Sequence, residues 1–175
     1  MHKDLLAKRL KLRAISVEDF DLIRHLDIDP KVKKYIGPPS DKNVTDQRMQ
    51  KIENRNGDGS GLGYWMGELL ESGEAIGWFV LNNIQDTDEI EIGYRLVEKF
   101  WGNGYATEGT EVLLKHGFLS VGLENIIGLT HPKNEASKKV LLKVGLREKG
   151  IRFYYDQDVT YFELSKKEYI DAKKN

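Results

Sequence analysis

The residues whose types and order could do chemistry lie between Glu89 and Gly145. The run Trp101-Gly102-Asn103-Gly104-Tyr105-Ala106-Thr107-Glu108 joins the end of a strand pattern to the start of a helical one. Glycines at 102 and 104 let a backbone come close to a ligand with no side chain intervening. The first amides of the following helix have no partner inside it and sit at the positive end of its dipole. Such a turn is a candidate site for a phosphate or diphosphate. The plainer alternative is a tight turn that needs glycine for steric reasons alone, and the Gly-x-Gly pair by itself does not separate the two. Two known nucleotide loops fit poorly. Tyr105 follows Gly104 where a Walker A loop needs Lys, and Thr107 stands where a dinucleotide fingerprint needs a third Gly or Ala.

Around this turn the chain must supply a scaffold. Leu10, Leu12 and Ala14 alternate with Lys11 and Arg13, a half-buried strand. Ser16 to Asp19 resembles a capping box and opens a helix to about Asp27, with Phe20, Ile23 and Leu26 near one face. Pro30 and Pro38-Pro39 break the chain into short pieces. Residues 41–56 form a sparsely apolar surface helix, followed by a glycine-rich loop. Strands are predicted over 63–71 and 74–83, joined by Ser72-Gly73, and over 89–97. A helix over 104–119, a strand over 125–130 and a helix over 135–144 follow, the last stopped by Gly145. A closing hairpin, 147–155 with 159–164, leads into a polar tail from Lys166. Within the helix after Gly104, Ala106, Gly109, Leu113 and Gly117 make a mostly small-residue stripe suited to close packing on a sheet, a structural role. The order of elements predicts a mixed α/β (α+β) fold in one domain over residues 1–175.

Composition narrows the function. The 175 residues carry 27 Lys plus Arg against 28 Asp plus Glu, a net charge of -1. Duplex nucleic-acid binders usually carry a basic excess, so no nucleic-acid partner is expected. There is no cysteine, which removes disulfides, thiolate metal sites and cysteine nucleophiles and fits a cytoplasmic protein. His2, His25, His116 and His131 are far apart and form no metal pattern, so no metal is expected. No run of 18 apolar residues and no signal-like start are present, so no membrane association is expected.

Three motifs at proper spacing carry a family resemblance: Ile92-Gly93-Tyr94-Arg95-Leu96, then Trp-Gly-x-Gly-Tyr-Ala-Thr-Glu, then Asn134-Glu135-Ala136-Ser137 with Gly145-Leu146 beyond. Together they resemble the GNAT superfamily of acetyl-CoA-dependent N-acetyltransferases. More narrowly the chain is similar to the branch that acetylates N-termini of ribosomal proteins. The resemblance implies a central, mostly antiparallel, splayed sheet flanked by helices. It implies that amides of Gly102, Asn103, Gly104, Tyr105, Ala106 and Thr107 hold the diphosphate of CoA. The strand ending at Leu96 and Val97 would splay from strand 125–130, with pantetheine in the gap. Asn134 would touch the pantetheine arm, with Ser137 on the same turn, although an ordinary helix N-cap also explains Asn134. Lys133, Lys138 and Lys139 could meet the ribose phosphate or simply form a solvated face.

The reaction implied is acetyl transfer to a primary amine, a peptide N-terminus or a small-molecule amine, by direct attack in a ternary complex. Glu89, Glu91, Gly93 and Arg95 share one face of a period-2 strand. Of these Glu91 lies near the strand's broken end, where the resemblance implies a catalytic glutamate, and is the candidate base, directly or through a water, if burial lifts its pKa from about 4.3 toward neutrality. The plainer role for Glu91 is a surface ion pair with a Lys or Arg95. The oxyanion would meet a backbone N–H near Val97. Leu141 and Leu142 stand where many relatives have a tyrosine acid, which leaves the general acid open; solvent could serve. An α-amine is neutral for roughly 10–20% of molecules at pH 7 and a lysine for about 0.04%, which favours the former. Helix 41–56 would border the acceptor, and its Asp46 and Glu53, with Asp58, would suit a cationic one or be solvated charges. A catalytically silent acyl-CoA-binding domain is the alternative function, and the oligomeric state, including a homodimer, stays open.

Overall fold

The computed structural model describes residues 3–174. All eight strands join one sheet: β1 (Leu5–Leu6), β2 (Leu10–Ala14), β3 (Gly63–Leu69), β4 (Ala75–Asn83), β5 (Ile90–Leu96), β6 (Asn125–Thr130), β7 (Arg147–Tyr154) and β8 (Gln157–Ser165). Their order is β1-β2-β3-β4-β5-β6-β8-β7. Every neighbouring pair is antiparallel except β5 and β6, which run parallel and share the single Cα pair Glu91↔Ile127. Among the described residues six α-helices accompany the sheet: α1 (Phe20–Ile28), α2 (Pro30–Lys33), α3 (Lys42–Asn56), α4 (Tyr105–Lys115), α5 (Glu135–Lys143) and α6 (Lys166–Lys174). The mixed α/β class and the splayed, mostly antiparallel sheet expected above are what the chain adopts.

Strand alternation sends the two faces of the sheet to different helices. On β5, Ile90, Ile92, Tyr94 and Leu96 pack into the core beneath α4, with Phe79, Leu113, Leu114 and Phe118. Arg95 points to the opposite face, where Ile23 and Leu26 of α1 and Met49 and Ile52 of α3 cover Met66 and Trp78. The small-residue stripe along α4 and the π-helical segment His116–Val121 that continues it has the packing role expected of it. A Cβ on Gly109 would come within 2.3 Å of the Phe79 ring, and one on Gly117 within 2.7 Å of Ile126.

Two expectations change. The polar tail from Lys166 is helical: the backbone N–H and hydroxyl of Ser165 bond the Glu168 carboxylate at 3.0 and 2.8 Å, a capping box. Tyr169 is buried there against Phe118, ring centroids 5.0 Å apart. Pro30 does not merely interrupt the chain but starts the short α2, capped by Asp29.

Candidate active site

The turn after β5 is built by a few specific contacts. The Trp101 indole N–H donates to the Leu96 carbonyl at 2.8 Å, and Asn103 Nδ2 donates to the Trp101 carbonyl at 3.1 Å. Gly102 and Gly104 take the left-handed φ values of 76° and 82°, which glycine adopts without a side-chain penalty. Nothing lies within 4 Å of a Cβ placed on Gly102, so its requirement is conformational. Gly104 caps α4, whose first internal bond runs from Glu108 N–H to Gly104 O at 3.0 Å. The amides of Tyr105, Ala106 and Thr107 therefore precede the helix ladder and are available to an anion.

Arg9, at the entrance to β2, braces this turn. Its Nε meets Glu108 at 2.8 Å, its Nη2 donates to the Asn103 carbonyl at 3.1 Å, and its guanidinium lies 4.6 Å over the Tyr105 ring. Its backbone N–H also donates to Glu108. Glu108 is thus held by Arg9 rather than left beside the open amides, where its charge would compete with an incoming anion.

From the turn a cavity of about 860 Å³ runs along the gap between β5 and β6 to the face covered by α1 and α3. Its size suits a ligand site. Leu96, Gly102, Gly104, Tyr105, Ala106, Thr107, Asn134, Ser137 and Glu91 all line it; Asn103 and Val97 do not. Asn134 also caps α5, its Oδ1 accepting from Ser137 N–H at 3.2 Å. Lys133, Lys138 and Lys139 are outside the lining, and Lys138 pairs with Glu135 at 3.3 Å. Thr110 and Thr130 line the cavity with buried hydroxyls that have no protein partner, as expected where a polar ligand completes a site.

The expectation for Val97 needs correction: its N–H donates to the Ile76 carbonyl at 3.0 Å. In an antiparallel pair the donors alternate in direction. Odd-numbered residues of β5 therefore bond β4, and the N–H groups of Tyr94 and Leu96 face the gap. Leu96, not Val97, therefore turns its N–H into the gap.

Glu91 is half-buried, and burial pushes its carboxyl up to about 7 against the opposing effects of the Tyr155 hydroxyl and the Arg95 charge. Tyr155 Oη donates to Glu91 Oε2 at 2.5 Å. Glu89, on the same face, is fully engaged: Tyr154 and Tyr161 donate to its two oxygens at 2.5 and 2.8 Å. Glu91 does not take the simple Lys or Arg95 ion pair considered above. Arg95 instead pairs at 2.5 Å with Asp27, which is fully buried and also accepts from Arg48 and, at 3.0 Å, from Thr45. Asp46 and Asp58 are paired with Arg24 and Arg55, and with Glu53 they stay outside the cavity lining. The α3 side chain that does reach the lining is Arg48.

The chain matches the acetyltransferase (GNAT) domain family over residues 9–147. It is 32% identical to the uncharacterized N-acetyltransferase p20 of Bacillus licheniformis, over 94% of this chain and 97% of that one. It is 34% identical to the FsC-acetyl coenzyme A-N(2)-transacetylase of Aspergillus fumigatus, over 79% of this chain and 62% of that one. Among solved structures, an acetyltransferase from Agrobacterium tumefaciens superposes with a TM-score of 0.83 at 26% identity, covering 93% and 94% of the two chains. The chain belongs to the GNAT family, and its class of activity is acetyl-CoA-dependent acyl transfer.

Proposed function

We propose that this enzyme acetylates a primary amine by direct attack within a ternary complex, with Glu91 as general base. The carrying observation is that one cavity joins the open amides of Tyr105 to Thr107 to a carboxyl whose pKa stands near 7. A group that titrates there is about half ionised at neutral pH and accepts a proton efficiently. That property favours an enzyme over a catalytically silent acyl-CoA-binding domain.

Acetyl-CoA supplies the activated acyl group. On this reading the amides of Gly102 and of residues 104–107 hold its diphosphate, Asn134 and Ser137 flank its pantetheine arm, and the unpaired edge of β5 orients the thioester. The Leu96 N–H steadies the charge that develops on the carbonyl oxygen, while Glu91 takes the proton from the attacking amine. The thiolate leaves and is protonated. A peptide N-terminus or another amine of low pKa suits a base of this strength better than an unperturbed lysine.

A free-thiol release assay across a panel of amines, with the product mass measured, tests the reaction. Glu91→Gln should lower kcat by about 10²–10⁴-fold with CoA binding retained. Full turnover by that variant would remove Glu91 as the base.

A further inference from the structure

Resting on the acetyl-transfer reading, we infer that Lys33, Arg48, Arg95 and the indole N–H of Trp78 form a carboxylate-binding subsite, so that the acceptor is an amine that also carries a carboxylate, of the amino-acid class. All four residues line the cavity. They lie on the sheet face that holds Glu91, opposite the face under α4 whose N-terminus forms the diphosphate turn.

Charge is the first observation. Among the described residues, the cavity lining has Lys31, Lys33, Lys34, Arg48 and Arg95 against one acid, Glu91. Lys31 is neutralised by Glu98 at 2.7 Å, and Lys34 lies against the Tyr35 ring. The other three gather around Asp27, which receives both guanidinium groups. Lys33 is 6% exposed, and its ammonium has a 3.4 Å contact with Ser40 Oγ. Its pKa is lowered by burial and by the nearby charges of Arg95 and Arg48. Three cations face one fully buried carboxylate, with Glu91 the other acid whose charge reaches Arg95, so positive charge is in excess here, and buried charge is costly unless paired. An anion in the cavity would supply the missing partner.

The second observation is a donor without an acceptor. Trp78 is 7% exposed, and its indole N–H is buried with no partner. The Arg95 guanidinium lies 4.9 Å over the same ring. Asp27 lies outside the lining, and the side chains of this cluster that do line the cavity, Lys33, Arg48, Arg95 and Trp78, offer donors only, which suits an anion. Planar guanidinium forks match a carboxylate well.

Spacing sets the length of the acceptor. Glu91 and Arg95 are four residues apart on one strand face, about 13 Å between Cα atoms. An acceptor that reached both would share that span with the two side chains, which favours a compact amine.

The test is calorimetric titration, at saturating CoA and at a pH below the amine pKa of both members, with paired probes in which a neutral amide replaces the carboxylate: glycine and glycinamide, L-lysine and L-lysinamide, glycylglycine and its amide, plus O-phosphoethanolamine. The carboxylate member should bind about tenfold tighter, roughly 1.4 kcal/mol, and should also have the lower KM in thiol release. Lys33→Met should erase most of that preference. Arg48→Lys, which keeps the charge on Asp27, should weaken it if Lys33→Met does not fold. Equal binding within every pair, tighter binding of the phosphate probe, or a preference unchanged in both variants would overturn the subsite. Equal turnover of acids and amides would also overturn it while leaving acetyl transfer intact. Failure to bind CoA or release thiol with any amine would instead defeat the acetyl-transfer reading, and the probe pairs titrated without CoA would still decide the subsite.

Discussion

The hydroxyl of Tyr155 donates to the Glu91 carboxylate at 2.5 Å, although the two residues are 64 positions apart. Tyr155 and Asp156 form the two-residue turn between β7 and β8, both at positive φ, 53° and 59°, the type I′ pattern that matches strand twist. A tyrosine in that conformation is strained by about 1–2 kcal/mol. That turn sets a phenol against the carboxyl proposed as the base.

Removing only that hydroxyl isolates its effect, since Tyr155→Phe keeps the same backbone strain. The bond favours the ionised carboxylate, so its loss should raise the Glu91 pKa. The acidic limb of the kcat profile should move from near pH 7 upward by about one unit. An unmoved limb would show that another group controls it.

Glu91 also links pH to stability. Its folded pKa, about 7, lies above the ordinary 4.5, so between those values the fold binds a proton that the unfolded chain has released. Stability from this group is therefore present below about pH 4.5, falls as pH rises to about 7, and stays lost above it. Glu91→Gln should raise the Tm by about 2–6 °C at pH 8 and leave it nearly unchanged at pH 4. Thermal denaturation at both pH values checks the sign.

Gly104→Ala should act on the cofactor. At φ 82° an alanine is strained by about 1–2 kcal/mol, and its Cβ would meet Arg9 Nη2 at 3.4 Å. Distortion of the open amides should raise the KM for acetyl-CoA about tenfold or more, with kcat at saturation less affected. An unchanged KM refutes the diphosphate assignment.

Arg9→Met tests the brace. Arg9 is almost half exposed, so its ion pair contributes little to stability, on the order of 0.2–1 kcal/mol. Its removal should free Glu108 to swing toward the open amides and raise the acetyl-CoA KM a few-fold, with a Tm change of only about 1–3 °C. A large loss of Tm with unchanged KM would make Arg9 a structural residue only.

Much of the scaffold could be read from local pattern. The strand over 125–130 matches β6 to the residue, and α4, the glycine turn and the Asn134 cap follow from residue types at short spacing. Glu91 was also accessible, because period-2 alternation separates it from the apolar face of β5. What surrounds it was not. Tyr155 belongs to a turn with no glycine, Arg9 reaches Asn103 across 94 positions, and Asp27 meets Arg95 across 68. Such contacts are set by the order of strands in the sheet, which no local spacing encodes. The direction of the Val97 donor is hidden for a related reason: it depends on which neighbour bonds each residue of β5. Helix α6 was different, since Ser165 and Glu168 already spelled a capping box.

The parallel junction of β5 and β6 leaves the sheet as two blankets stitched at one point, Glu91↔Ile127. A bound pantetheine arm would add a second seam beside the first. Backbone amide exchange at Gly128 to Thr130 should then slow when CoA is added, while exchange in β2 to β4, already laced on both sides, should stay as it was.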